Sequence, residues 1–383
     1  MNWTAAWTAS PQLPSAGFTP NWSQEGFSGH TLRQIVRVTA AGDRVRVRLS
    51  NAYGTSPLHI AGATIALTDT GAALRPGSLR HLTFKGARSL VVPARGQAES
   101  DAAKLAVERL DRVTVTLHLA GTTGPATFHA QGFTDSHRAE GDHLDDVTGT
   151  PFTGTTASWY YLSGVDVSGA DPAPGGVVLF GDSLTDGFGS TPNADRRWSD
   201  ALAERVDRPV LNAGIGGNLL LNDSAWYGER ASARFHRDAL DLPGVTTVVL
   251  LQGLNDIGYS EARDQPTYKP APVHSAAGLI AGYRRLIRAA RARGVRIVGA
   301  TILPFKGTTH WGPRAAGVAA EVNDWMRESG EFDAVVDLHR LMGDPSDPDR
   351  LNPAYAYEDG LHPDDAGYRV MAEAVLPVLQ AGQ

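Results

Sequence analysis

Residues 177–189 read VVLFGDSLTDGFG. Val177, Val178, Leu179 and Phe180 form an apolar run without polar alternation, the pattern of a parallel strand covered on both faces. The run ends at Gly181-Asp182-Ser183, where a glycine tolerant of unusual dihedrals precedes a small hydroxyl residue. In open α/β sheets the carboxyl end of a strand is where ligands are held. Ser183 is therefore the first candidate for chemistry, although Asp182 or Ser183 would serve equally well as the cap of a following helix. Asp182 is expected to shape the turn rather than react.

Toward the C-terminus, apolar runs at 210–211, 245–251, 295–301 and 334–338 alternate with helical patterns at 196–206, 229–239, 275–293, 313–329 and 363–379. Such alternation predicts right-handed crossovers and a parallel sheet with helices on both faces. The residues just past each strand are then the ones to read. After 210–211 comes Asn212-Ala213-Gly214-Ile215-Gly216-Gly217-Asn218, a glycine-dense turn able to bring bare N–H groups to a ligand. The next strand leads to Gln252-Gly253-Leu254-Asn255-Asp256. Before the last helix, Asp359-Gly360-Leu361-His362-Pro363 sets a carboxylate three residues ahead of an imidazole.

These parts fit the needs of acyl transfer. A serine hydroxyl needs a base within hydrogen-bond reach, and the base needs a partner that fixes its tautomer. His362 and Asp359 fill those posts. A tetrahedral intermediate needs preorganised donors for its oxyanion, here the N–H of Ser183, the N–H of Gly217 and the side-chain amide of Asn255. Each feature alone has a plainer reading, as a tight turn, a turn former, or an Asp359/His362 cap ahead of Pro363 at the first helical position. Their order, each at a strand end or at the last helix entry, favours catalysis.

The blocks FGDSLTDG, NAGIGGN, GLND and DGLHP resemble, in order, the four signature blocks of the SGNH hydrolases, also called the GDSL esterase/lipase superfamily. The resemblance covers residues 177–379 and implies a flavodoxin-like three-layer α/β/α fold. It further implies Ser183 as nucleophile, Asp359 and His362 as the rest of a triad, and Gly217 and Asn255 as oxyanion donors beside the Ser183 amide. The third block has Leu254 where many members carry a second glycine, which leaves Asn255 in place.

The first half follows another pattern. Around 45–49, Val45, Val47 and Leu49 alternate with Arg44, Arg46 and Arg48, the period of a half-buried antiparallel strand. Short runs recur at 32–38, 59–67, 82–84, 90–92, 113–119 and 126–131, separated by turn residues, with no amphipathic helix between them. This predicts a β-sandwich, jelly-roll-like accessory domain over residues 1–168, a Gly/Pro-rich linker at 169–176, and a catalytic domain at 177–383. A β-domain ahead of such a hydrolase looks like the arrangement in some bacterial carbohydrate acetylesterases. His118 and His129 are expected to be structural, and the 134–146 loop to be solvated, since its acidic and histidine residues match no ligand spacing. Trp3, Trp7, Trp22, Trp159, Tyr160 and Tyr161 would form either a core or a sugar-stacking platform.

Composition narrows the class. Hydrophobic residues make up 42% of 383 residues, charged residues 20%, and the formal net charge is -6, so a soluble globular protein without a nucleic-acid partner is expected. With no cysteine, disulfides and thiolate chemistry are excluded. No metal, no cofactor and no integral membrane segment are expected. The N-terminus lacks a secretory signal, so the expectation is a cytoplasmic protein, or a secreted one whose signal has been removed. A dinucleotide fingerprint fails because Pro192 stands where a third glycine belongs, and an α/β-hydrolase elbow fails for want of a glycine two residues after Ser183.

The expected activity is a serine esterase for short-chain or acetyl esters, small-molecule or carbohydrate in nature. Trp226, Tyr227, His310 and Trp311 are the candidate substrate-binding residues. A lysophospholipase or thioesterase for longer chains is the alternative, and a carbohydrate-binding protein with an inactive hydrolase domain is the alternative of another class.

Overall fold

The run at 177–180 becomes the centre of a sheet. Strand Gly176–Gly181 pairs in parallel with Val210–Gly214 on one side and Val245–Leu251 on the other, and Val177, Val178, Leu179 and Phe180 are each 0% exposed. A strand with neighbours on both edges and helices on both faces has no wet position, so its sequence does not alternate. Arg296–Ala300 and Ala334–Val336 extend the sheet, giving the order 2-1-3-4-5. In that order the chain leaves the first strand toward one edge and later crosses back for the third, which leaves a crevice beyond the carboxyl ends of the first and third strands. Gly181 stands opposite both Gly214 and Leu251, so three strand ends open at one level.

The computed structural model describes residues 2–169, 175–262 and 264–381. The chain divides into the units Met1–Pro174 and Gly175–Gln383. Of the linker expected at 169–176, residues 170–174 lie outside the described residues.

In the second unit the helices Ala276–Ala292 and Pro313–Glu328 fall close to their expected positions. Ala276–Ala292 buries Leu279, Tyr283, Leu286, Ile287 and Ala290, the three-and-four spacing of an amphipathic face. The last helix differs from expectation. It spans Asp365–Gln380, and Asp364 caps it by accepting the N–H groups of Ala366 and Gly367 at 2.9 Å. Pro363 is therefore not its first residue, and Asp359 and His362 stand in a turn outside the helix, free of capping duty. The pattern at 229–239 resolves into Ala231–Phe235 followed by a π-helical turn, His236–Leu240. Helices Ser183–Asp186 and Leu254–Gly258 are single turns beginning just past strand ends, too short for periodicity to announce.

The first unit is strand-rich and antiparallel. One sheet combines Thr4–Thr8, Leu162–Ser168, Gly42–Ser50, Gln97–Glu99 and Ala103–Val107; a six-stranded sheet runs Gly154–Thr156, Ser136–Glu140, His30–Arg37, Arg112–Leu119, Gly62–Leu67, Arg80–His81. Val45, Val47 and Leu49 are 0% exposed, while Arg46 and Arg48 reach across to the buried Asp166 at 2.9 and 3.1 Å.

Two expectations change here. The ladder falls on Arg80–His81 rather than on 82–84, where Phe84 makes only an isolated bridge to Ala87. The 134–146 segment is not solvated throughout, because Ser136–Glu140 is a strand with Ser136 and His137 buried. That strand carries almost no apolar residue, so alternation could not reveal it. Trp7, Trp22, Trp159, Tyr160 and Tyr161 fill the core of this unit rather than forming a surface platform. His118 contacts the Thr31 hydroxyl at 3.2 Å, and His129 bonds the Ser10 carbonyl at 3.0 Å while stacking on Trp159.

Candidate active site

The turn after the central strand separates two jobs that the sequence left ambiguous. Asp182 caps the short helix, its Oδ1 accepting the Leu184 N–H at 3.1 Å. Ser183 is thereby released to bond elsewhere, and its Oγ lies 2.8 Å from His362 Nε2. His362 Nδ1 lies 2.6 Å from Asp359 Oδ2, and the other Asp359 oxygen accepts the N–H groups of Leu361 and His362 at 2.9 and 3.0 Å.

Burial alone would raise the Asp359 carboxyl. The hydrogen bond and charge of His362, with the two backbone donors, outweigh that effect and hold it below the usual carboxylate range. An ionised Asp359 keeps the His362 proton on Nδ1 and leaves Nε2 as the acceptor facing Ser183. Ser183 and His362 lie 179 residues apart in sequence, and specific bonds close that gap. The Tyr368 hydroxyl donates to the Phe188 carbonyl at 2.6 Å, and the Thr191 N–H and hydroxyl donate to Asp365 at 2.9 and 2.8 Å. The Phe188 ring lies 4.5 Å from the His362 ring.

Gly217 and Asn255, the expected oxyanion donors, are tied to one another through Asn218 and Tyr259. Gly217 has φ +74°, and a Cβ there would fall 2.5 Å from Tyr227 and 2.7 Å from the Tyr259 hydroxyl, so only glycine fits. The Tyr259 hydroxyl donates to the Gly217 carbonyl at 2.6 Å. Asn255 donates from Nδ2 to the Asn218 carbonyl at 3.0 Å, and its Oδ1 lies 3.3 Å from His310 Nε2.

Asn218 is the junction of this region. Its side-chain amide donates to the carbonyls of Tyr227 and Glu229 at 2.9 and 2.8 Å, and its Oδ1 accepts from Arg234 at 3.0 Å. Arg234 is 0% exposed and also donates to the Ala213 and Gly181 carbonyls, both at 2.8 Å, and to Asp238 at 3.2 Å. Its guanidinium lies over the Phe180 ring at 4.2 Å. One buried cation thus joins the ends of two strands to the turn that carries Gly217. Sequence reading missed it, because Arg234 and Asp238 at helical spacing look like an ordinary surface pair. Asp256 accepts the N–H groups of Leu220 and Leu221 at 2.8 and 3.0 Å, and burial pushes its carboxyl up to about 7.

The candidate substrate residues are dispersed. Tyr227 is 4% exposed and packs with Leu219 and Tyr259, while Tyr268 stacks on Tyr259 at 3.8 Å. Trp226 is 36% exposed. His310 is 2% exposed and lies against Asn255, whereas Trp311 packs edge-on against Phe305 at 5.2 Å. A cavity of about 470 Å³, unanticipated from sequence, is lined by Lys306, Asp347, Arg350, Tyr357 and Glu358, the last two in the chain just before Asp359. Among the described residues no group of three or more His, Asp and Glu is placed to hold a metal ion, and no helix is long and apolar enough to cross a membrane.

Among the solved structures similar to this chain are three esterases or lipases. A GDSL-like lipase from Bacteroides thetaiotaomicron is 18% identical with a TM-score of 0.42, covering 56% of this chain and 94% of that one. A carbohydrate acetylesterase from Sinorhizobium meliloti is 15% identical with a TM-score of 0.41, covering 55% and 100%. The M. smegmatis aryl esterase is 14% identical with a TM-score of 0.44, covering 54% and 99%. No curated protein matches the chain. A family model described as GDSL-like Lipase/Acylhydrolase matches residues 179–370, a span that includes Ser183, Gly217, Asn255, Asp359 and His362. With half of its length matched by that model, the chain belongs to the GDSL-like lipase/acylhydrolase family of carboxylic ester hydrolases.

Proposed function

We propose that the second unit hydrolyses short-chain acyl esters, acetyl esters of small alcohols and carbohydrates foremost, through an acyl-enzyme formed on Ser183. The observation that carries this reading is the unbroken relay from Ser183 Oγ to His362 Nε2 at 2.8 Å and from His362 Nδ1 to Asp359 at 2.6 Å. His362 takes the serine proton as Oγ attacks the ester carbonyl. The oxyanion forms against the N–H groups of Ser183 and Gly217 and the Asn255 amide. Collapse expels the alcohol, which receives the proton from His362, and water repeats the sequence to release the acid and restore Ser183. General base catalysis of this kind contributes roughly 10²–10⁴-fold, and each preorganised oxyanion donor roughly 10²–10³-fold.

The short-chain preference is supported by the close packing beside Gly217, where Leu219, Tyr227 and Tyr259 form a buried cluster that leaves no room even for a Cβ on that glycine. Of the four candidate substrate residues we retain Trp226, which is 36% exposed, as a substrate contact, and Tyr227 as part of the buried packing beside Gly217. We read residues 1–168 as a β-sandwich accessory domain, supported by one apolar core shared by its two main sheets, and 177–383 as a flavodoxin-like catalytic domain.

The test is a series of p-nitrophenyl esters from acetate to palmitate, run beside acetylated sugars, with wild type and Ser183→Ala. Turnover falling with chain length, and absent in folded Ser183→Ala, supports the reading. Faster turnover of palmitate moves the assignment to a lipase or thioesterase for long chains, and an active Ser183→Ala overturns the mechanism.

A further inference from the structure

We infer that His310 is a positioning residue of the oxyanion hole: its Nε2–H engages Asn255 Oδ1 and so fixes the direction in which the Asn255 amide presents its second N–H to the developing oxyanion. The inference rests on the esterase reading above and adds to it a residue outside the triad and the three donors.

A primary amide has two donors and one acceptor, nearly superimposable after a half-turn. For Asn255 the half-turn must be prevented, because only the nitrogen stabilises an oxyanion. One constraint is the Asn218 carbonyl, which accepts Asn255 Nδ2 at 3.0 Å and Gln252 Nε2 at 2.9 Å. The other is His310 Nε2, 3.3 Å from Asn255 Oδ1. A turned amide would set oxygen against oxygen at Asn218 and nitrogen against the imidazole N–H at His310. The His310 contact is long, a weak bond whose value lies in direction rather than stability.

The imidazole is itself held in place. Gly258 lies one helical turn after Asn255, and a Cβ there would fall 2.3 Å from His310 Cδ2, so the ring lies directly against bare backbone. Tyr259 and Tyr268 flank it with ring centroids at 5.7 and 5.6 Å, and the Thr309 hydroxyl stands 3.4 Å from Nδ1, placed to donate there and leave the proton on Nε2. Burial, reinforced by His362, pushes the imidazole down to about 4. His310 therefore stays neutral at working pH, donating through one N–H without setting a second positive charge beside the imidazolium that forms on His362.

The test is a double-mutant cycle between His310 and Asn255, read as kcat and KM on p-nitrophenyl acetate, with near-UV circular dichroism as the check on folding. His310→Phe keeps a planar ring without a donor and should lower kcat roughly 10- to 100-fold with KM within twofold, the loss expected of a misdirected donor. His310→Gln carries an N–H at nearly the Nε2 position and should recover most of that rate, whereas His310→Asn is too short to reach Asn255 and should not. In an Asn255→Ala background His310→Phe should cost nothing further.

If His310→Phe multiplies the Asn255→Ala loss, acts on KM alone, or is matched by His310→Gln, His310 is packing and the inference fails. Should His310→Phe not fold, the Gln/Asn pair decides by the same criteria. An inactive wild type, or full activity in Asn255→Ala, overturns the esterase or oxyanion reading itself, a result distinct from an additive cycle in an active enzyme.

Discussion

Replacing Arg234 with methionine removes a buried guanidinium that bonds the Gly181, Ala213 and Asn218 oxygens and Asp238. The Gly181 carbonyl keeps the Ile215 N–H at 3.2 Å, and Asp238 keeps Arg237 at 2.6 and 3.2 Å. The cost therefore falls mainly on Ala213 and Asn218, two buried acceptors that lose a donor at about 1–3 kcal/mol each. Methionine packing on Phe180, and relief from burying a cation, offset part of this, leaving a net loss of about 3 kcal/mol. With a urea dependence of about 2 kcal/mol per molar, the midpoint of the second unit should fall by about 1.5 M. Because the chain has two units, that transition is followed by loss of esterase activity alongside tryptophan fluorescence. Lysine at the same position keeps the charge near Asp238 yet cannot span both strand ends, so its midpoint should lie between. A methionine variant within about 0.25 M of wild type, roughly 0.5 kcal/mol, would refute the view that Arg234 holds the strand ends together.

Two further outcomes are expected. Asn255→Ala should lower kcat roughly 10²–10³-fold, or about 2.7–4 kcal/mol of barrier, measured on p-nitrophenyl acetate; a change confined to KM would reject Asn255 as an oxyanion donor. The third concerns pH. Burial pushes the Asp182 carboxyl up to about 7, against the opposing Leu184 N–H, from an ordinary 3.8. Between about pH 4 and 7 the folded chain keeps a proton that the unfolded chain has released, so this contribution to stability is complete at low pH and lost as pH rises through about 7. Asp182→Asn keeps the cap acceptor and cannot ionise, so its urea midpoint should depend less on pH between 5 and 8; equal slopes would count against a protonated Asp182.

The parts of the fold that the sequence announced are those set by solvent. The central strand is read from an unbroken apolar run because both its faces are covered, and the helix at 276–292 from its stripe. Ser183 was legible as the residue at the end of the central strand, and Asp359 and His362 as a carboxylate three residues ahead of an imidazole before the last helix; the structure brings the three together. What stayed hidden obeys other rules. The strand Ser136–Glu140 has Ala139 as its one apolar residue, and its burial comes from tertiary cover rather than composition. Arg234 is satisfied by main-chain carbonyls, which leave no trace in side-chain patterns. His310 was singled out from sequence as a substrate contact, and only burial and the 3.3 Å contact with Asn255 indicate a different task.

The turn that carries both Asp359 and His362 comes immediately before the last helix, 179 residues beyond the serine that His362 contacts. In the proposed mechanism the nucleophile therefore precedes its base in the chain, and base and carboxylate share one turn. In that mechanism Ser183 gains its base only when the helix Asp365–Gln380 docks and Tyr368 and Asp365 engage the Phe188–Thr191 loop. Docking of that one helix and assembly of the proposed relay are then a single event.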